Sequence, residues 1–454
     1  MTLSSNRAYL LTLLVMVYTS NYVDRVIIGV VGQALKTDLH LTDSQLGLLN
    51  GMAFILFYAM MGIPLGRLAD RWNRKRLLSA CLALWSAMTA LSGFAGSFAQ
   101  LMAARVGVGI GEAGSTPIGH SMIADSFPPE RRATAVSIFG AGAPMGVLIG
   151  TIGGGWVAQH YGWRAAMMAV GLPGLLLAIL ILVTVREPER GRLDAADKQA
   201  PIPFREAMHI LLADPLFRHV AIGLGCAAVA VYSISSFAVP LLMRAYDLSL
   251  FGAASAFGLS YGLAGVVGSF IGGVITDRAS QSDPRWSAGV PAIVYSTSCL
   301  FLITALYAQD YLMFVALFTV GAVLLYIGLA PALSVLLTRF APRMRGSVSA
   351  LTLLVTNLIG LGLGPVLSGI FSDAFASHAY RGAGDYGETC VQALSGAAQA
   401  LCEEASFIGL QRALAVVILF LIVAALIYLS AARHLRPAIP AQSQPDPAMG
   451  AALR

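Results

Sequence analysis

Charge is what this sequence has least of. Asp, Glu, Lys and Arg make up 11% of 454 residues, against about a quarter in a soluble domain. A soluble chain of this length can bury a large core but still needs a charged surface, and this one lacks the residues to build it. Cysteine is also scarce. Of five, Cys81, Cys226 and Cys299 fall in apolar segments, where they read as small packing residues. No metal-ligand spacing is present, so no metal or cofactor is expected. A Gly-Lys-Ser/Thr phosphate loop is missing, which excludes transport driven by the chain's own ATP hydrolysis. Two strings imitate enzyme motifs, Gly109-Ile-Gly-Glu-Ala-Gly114 and Gly258-Leu-Ser-Tyr-Gly262. Both lie inside apolar helical segments without the strand that a dinucleotide fold or a nucleophile elbow requires, so an enzyme is not expected.

What the sequence has is apolar length: 57% of it is hydrophobic, in runs such as Ala8 to Val23 and Ala413 to Ser430. Runs of about 18 or more apolar residues read as membrane spans. The expected fold is an all-α membrane protein with twelve transmembrane helices, near 8–35, 44–68, 77–97, 100–125, 133–158, 164–185, 216–243, 250–276, 286–308, 311–338, 346–373 and 406–432. The first run is too long for a cleavable signal and carries charges in its middle, so it counts as a span.

The net charge is +6, and its placement matters more than its size. Basic residues gather in alternate turns: Arg71 to Arg76, Arg131 and Arg132, Arg186 to Arg218, Arg278 and Arg285, Arg343 and Arg345. The other turns offer little beyond Lys36, Arg164, Arg244 and Arg381. This is a topology signal, with both termini cytoplasmic, and not a nucleic-acid surface. The expected organisation is an N-terminal six-helix bundle (1–185), a cytoplasmic linker (186–215), a C-terminal six-helix bundle (216–436) and a disordered tail (437–454). Within the linker, 203–212 reads either as an amphipathic surface helix or as a plain connector. The polar stretch 374–405 holds Cys390 and Cys402. In a bacterial inner-membrane protein it would face the oxidising periplasm, where a disulfide is expected, with two free thiols as the alternative.

The halves repeat. Gly66-x-x-x-Asp70-Arg71 ends the second span and Gly273-x-x-x-Asp277-Arg278 ends the eighth; Phe127 to Arg132 resembles Phe340 to Arg345 in the same order. Parallel halves around a central cavity are a recurring transporter plan. Gly66 allows close helix approach, and Asp70, followed by Arg71 and Arg74, can pair across a helix junction. The element reads as a conformational latch, with a second copy at Asp277 and Arg278.

These residues resemble the major facilitator superfamily, whose turn between spans two and three carries this pattern. Arg105-Val-Gly-Val-Gly-Ile-Gly-Glu112 resembles the family's fourth span. Ala143-Pro144-Met-Gly146 with Gly150 departs from the family's Gly-Pro antiporter motif, which leaves antiport open. Asn21 to Arg25, Gly66 to Arg76, Arg105 to Ala113, Ile123 to Asp125 and Arg186 to Gly191 resemble the Spinster branch. That resemblance implies an amphipathic lipid substrate, a lysophospholipid or sphingosine-phosphate-like molecule, with protons as coupling ion. A symporter of small organic anions and a multidrug exporter are the rivals.

The residues point to a site independently. Asp24, Arg25, Arg105 and Glu112 fall within spans, and each costs about 2.5–3.5 kcal/mol at a helix centre. They should therefore face the protein interior. Asp24, Glu112 and Arg105 are expected to couple protons, and Arg25 and Arg105 to bind an anionic headgroup. Tyr232, Tyr261, Tyr326 and Asn357 are the polar substrate candidates of the C-terminal half, with helix-packing hydrogen bonds as the alternative. The expected partners are the substrate, protons and membrane lipid; the chain is expected to be a monomer.

Overall fold

The computed structural model describes residues 7–190, 204–340, 344–390 and 396–435; within its helices a few side chains, including those of Asp70, Asp277 and Arg345, are left undescribed. The described residues are helical, with no strand among them.

The long first helix α1 (Arg7–Leu39) leads to α2 (Asp43–Asn50) and α3 (Met52–Arg71). Thr42 starts α2 with a reciprocal cap, its side chain accepting from the Gln45 amide while Gln45 reaches back, which satisfies donors a helix start leaves open. The chain breaks at Gly51, whose backbone is non-helical and where an added side chain would strike the carbonyl of Leu361. Asn73 caps α4 (Arg74–Ser92), and Ser97 caps α5 (Phe98–Glu112). α6 (Ser115–Ser126), α7 (Pro129–Gly140) and α8 (Gly142–Leu148) follow, then a π-helical turn at Ile149–Gly153 and α9 (Gly154–Thr184). Inside α9 the chain turns at Gly162, whose φ of 83° suits a residue with no side chain. After the linker come α10 (Phe204–Ala213), α11 (Pro215–Tyr246), α12 (Leu250–Ser282), α13 (Trp286–Leu306), α14 (Tyr311–Arg339) and α15 (Arg345–Ala379). The short α16 (Tyr386–Thr389) precedes α17 (Ala397–Ile418) and α18 (Phe420–Ala432).

Nine of these stretches are long and apolar enough to cross a membrane. Thr134–Thr184, of 51 residues, is two crossings once divided at Gly162. Adding α4, which opens on three basic residues, and α5–α6, which carry Arg105 and Glu112, gives twelve. The expected tail and the linker residues 191–203 lie outside the described residues. α10 buries Ala207 and Leu211 and exposes Ile210 and Leu212, so it has two apolar flanks.

The two ends of the bundle differ. One end carries the arginine-rich turns; the other carries the Cys390–Cys402 disulfide. At the disulfide end one apolar core runs through both halves, joining Ile27 to Leu35, Leu46, Trp163 and Met167 with Phe237, Leu241 and Leu410. At the basic end the N-terminal half has its own core, from Leu10 to Val17 with Leu78, Ile118, Met122 and Ile181.

Glycines set how far the halves touch. Gly47 lies against Pro365, Gly369 against Asp43, and Gly262 against Leu148. Further towards the basic end, a side chain added at Gly62, Gly66, Gly273 or Gly346 would meet nothing within 4 Å. The halves are closed together at the disulfide end, and a cleft separates them towards the basic end.

Candidate functional site

The site lies where the halves begin to part. Arg25 of α1 donates through Nε to Glu112 Oε2 of α5 at 2.9 Å; the glutamate is fully buried and the arginine side chain 14% exposed. Aromatic rings surround that guanidinium: Tyr22, Phe54 and Tyr58 have their centroids 5.3, 5.2 and 5.1 Å from its central carbon. Such packing favours a desolvated cation and leaves one open side.

Arg105 plays a different part. Its guanidinium donates to the carbonyl of Leu49 at 3.2 Å and of Asp24 at 3.5 Å, and its central carbon also lies 5.2 Å from the centroid of the Phe54 ring. Thus Arg105 ties α5 to the end of α2 and to α1, while the cation paired with the Glu112 carboxylate is Arg25. Asp24 is fully buried, and neither of its carboxyl oxygens has a hydrogen-bond partner. Asn21, one turn before it, donates to Ser115 at 3.4 Å.

Across the cleft, Tyr232 of α11 donates to Asn357 Oδ1 of α15 at 2.9 Å and is within electrostatic reach of Tyr22, Tyr58 and Arg25. Tyr326 meets Tyr261 edge-on at 5.3 Å, and Tyr261 donates to the carbonyl of Val231 at 3.3 Å. Tyr232 and Asn357 therefore belong to the wall facing Arg25, while Tyr261 is committed to its own half.

The residues read as a latch lie at the basic end. Gly66 faces open space, Arg71 and Arg278 are exposed, and the side chains of Asp70 and Asp277 are not among those described. The buried member is Arg74. It pairs with Asp125 and with Glu187 (2.8 Å), and donates to the carbonyl of Pro188 at 2.7 Å. Arg190 donates to the carbonyls of Ala69 and Trp72. The turn before α4 is thus clamped to α6 and to the segment after α9, within one half.

A second ionic cluster, at the disulfide end, was not anticipated. Asp43 receives both terminal nitrogens of Arg244 at 2.8 Å, Lys36 Nζ at 2.8 Å and Ser372 Oγ at 2.6 Å. Asp373 accepts from the Asp43 and Ser44 amides and the Ser44 hydroxyl. This clasp joins α1 and α2 of one half to α11 and α15 of the other. Tyr386, at the start of the short helix that leads into Cys390, lies beside it; burial raises the Tyr386 phenol above its ordinary pKa, so it stays protonated there. Lys36 and Arg244 were the signal: basic residues in turns that otherwise carry almost none.

The glycine strings also find their role. Gly109 packs on Phe54, Gly111 on Trp85 and Gly114 on Cys81, while Gly258 packs on Thr151 of the opposite half. Among the described residues no group of three or more His, Cys, Asp or Glu could hold a metal.

The Major Facilitator Superfamily profile matches residues 14–379. The chain belongs to the major facilitator superfamily. The transporter is 34% identical over 363 residues to an MFS-type efflux pump of Mycolicibacterium smegmatis, covering 80% of this chain and 83% of that one. It is 29% identical over 373 residues to human protein spinster homolog 1, covering 78% and 70%. A crystal structure of a bacterial homologue of the human lysosomal transporter Spinster, inward-facing and unoccupied, superposes with a TM-score of 0.85 at 32% identity, covering 94% of this chain and 97% of that one. Together these put the transporter in the Spinster branch. The fold is shared more widely: the D-xylose–proton symporter superposes with a TM-score of 0.62 at 17% identity.

Proposed function

We propose that this transporter is a proton-coupled carrier of an amphipathic lipid with an anionic or zwitterionic headgroup, a lysophospholipid or sphingosine-phosphate-like molecule. The observation that carries the reading is the setting of Arg25. It is a part-exposed guanidinium, paired to a fully buried Glu112, walled by three aromatic rings and opposed by a half that offers Tyr232 and Asn357. A phosphate can take the guanidinium's open side in a charge-assisted contact, and an acyl chain can run along the apolar walls. The anion competes with Glu112 for Arg25. A carboxylate released inside a water-poor site takes up a proton, and that exchange links substrate to proton. Arg105 holds the elements that carry Phe54 and Asp24 in register.

On the positive-inside rule the basic end is cytoplasmic, as are both termini. The cleft is then inward-facing, and the Asp43–Arg244 clasp is the closed outer gate of an alternating-access cycle. The bacterial inner membrane is the proposed location, and a monomer the working unit. The test is binding of a fluorescent lysophosphatidylethanolamine to the purified transporter. Submicromolar to micromolar binding that weakens at least tenfold in Arg25→Ala, and is not displaced by small carboxylic acids, supports the reading. Displacement by such acids at equal concentration points instead to a symporter of small organic anions. Drug efflux is a second reading, favoured by the identity to the mycobacterial pump; raised drug resistance on expression in a sensitive host would support it.

A further inference from the structure

α6 carries a histidine that the Arg25–Glu112 pair does not use. This helix packs on α1, α3, α4 and α7, while α3 and α8 reach across to α15 and α12 of the other half. The flank of α6 left uncovered, at Pro117 and His120, is exposed and opens on the cleft between those two crossings. Ala113 and Gly114 keep helical backbone angles where α5 passes into α6. Glu112, Thr116 and His120 therefore form one row, four residues apart, along the helix. Eight residues are about 12 Å of rise, so His120 lies that far from Glu112 towards the basic end. Six residues further on, α6 ends before the turn that carries Arg131.

An aromatic strip joins the two levels. Tyr22 has its centroid 5.3 Å from the central carbon of Arg25. Tyr18, one turn back along α1, meets Tyr22 edge-on at 5.2 Å and stacks on Phe139 of α7 at 4.4 Å. His120 meets Phe139 edge-on at 5.4 Å. Gly119 makes that seat, because a side chain there would come within 3.1 Å of the Phe139 ring. Between the levels Asn21 donates to Ser115 at 3.4 Å and holds α1 to α6. Tyr18 and Tyr22 are half-buried, each keeping part of its surface open. Packing alone does not call for a histidine at this place, since a leucine would cover Phe139 as well. Among the described residues the His120 ring nitrogens have no hydrogen-bond partner. A neutral imidazole carries one N–H and a protonated one two, so in either state His120 offers a donor to an anion in the cleft. The rings beside it suit the carbon chain of the same molecule.

We propose that His120 is an entry subsite, which takes the phosphate of a lysophospholipid at the mouth of the cleft and passes it along Tyr18 and Tyr22 to Arg25. It rests on the reading of Arg25 as the headgroup site of a lipid carrier. The headgroup binds first at His120 and then at Arg25, and the aromatic strip keeps the lipid's carbons covered between the two.

Stopped-flow binding of fluorescent lysophosphatidylethanolamine to the full-length transporter in nanodiscs resolves the two steps. The wild type should bind in a fast phase at His120 and a slower one at Arg25. His120→Leu, which still covers Phe139, should lose the fast phase and slow association about tenfold, the worth of one hydrogen bond to a charged group, while the final affinity, set at Arg25, is kept. His120→Gln, which keeps a donor, should retain the fast phase, and Arg25→Ala should keep the fast phase and lose the slow one. Association in His120→Leu with the rate and phases of the wild type overturns the subsite and leaves the lipid reading standing. Loss of the fast phase to inorganic phosphate at equal concentration does the same, because the mouth is then a site for free phosphate. No lipid binding in the wild type overturns both.

Discussion

Replacing Asp43 with Asn should open the disulfide end of the molecule. The Asp43 carboxylate is 2% exposed and faces two cations, Arg244 at 6% and Lys36 at 18% exposure. Asparagine keeps the shape and one acceptor but leaves those cations uncompensated. Removing one partner of a buried pair costs about 3–5 kcal/mol. The lower figure applies here, because Asp373 remains close by and can offset part of the charge. The penalty falls only on the state in which the halves are closed at this end, since separation rehydrates Arg244 and Lys36. About 3 kcal/mol is roughly a hundredfold change in the ratio of the two states. Leu46, 1% exposed beneath the clasp, is the reporter. In Leu46→Cys a membrane-impermeant maleimide should react slowly; adding Asp43→Asn should speed the reaction by up to about a hundredfold. The native cysteines do not interfere, because three are buried and two are paired. Adding Lys36→Gln and Arg244→Gln should recover part of the protection, because an uncharged cluster lacks the penalty. Unchanged reactivity in Asp43→Asn, with the protein folded, would refute the argument that these charges hold the end shut.

Three further outcomes follow. Gly369→Leu should block the approach of α15 to Asp43 and expose Leu46→Cys in the same assay, whereas Gly66→Leu, which has open space, should leave that closure intact. Arg74→Ala leaves Asp125 and Glu187 without their shared cation at a buried turn, and should cost about 3 kcal/mol, read as a lower unfolding midpoint in detergent. Cys390→Ser with Cys402→Ser frees a loop spanning a separation of 12 residues. It should cost about 2–3 kcal/mol locally and speed amide exchange at Tyr386 and the start of α17, with slower exchange in the wild type as the control.

The fold was legible because the two strongest sequence signals are long-range in effect but local in form: apolar runs of span length, and basic residues in alternate turns. Apolar length alone falls short at α4 with its basic start, at the charged α5–α6, and at Gly162, where apolar character continues through a turn, although the sequence reading draws a span at each. The site's charged residues stood out because a charge inside a span is costly, so Asp24, Arg25, Arg105 and Glu112 could be named from their positions alone. Their pairing could not. Arg105 and Glu112 share a helix face, but Glu112 reaches across to Arg25, and that choice depends on how α1 packs on α5. The clasp escaped notice for the opposite reason: Asp43 and Asp373 lie at segment ends, where an acid is unremarkable until its partner in the other half is known. Likewise Asp125 and Glu187 were read as members of a motif, and only the folded turn shows that Arg74 gathers them.

The central claim, that Glu112 links a lipid's headgroup to a proton through Arg25, is tested most directly by flux. Purified transporter in liposomes, loaded with labelled lysophosphatidylethanolamine and given an imposed pH gradient, is compared with Glu112→Gln. The account predicts gradient-driven lipid movement in the wild type. In Glu112→Gln the gradient should no longer drive accumulation, while exchange of labelled for unlabelled lipid continues, because Arg25 still seats the headgroup. Lipid accumulation in Glu112→Gln with the pH dependence of the wild type would contradict it.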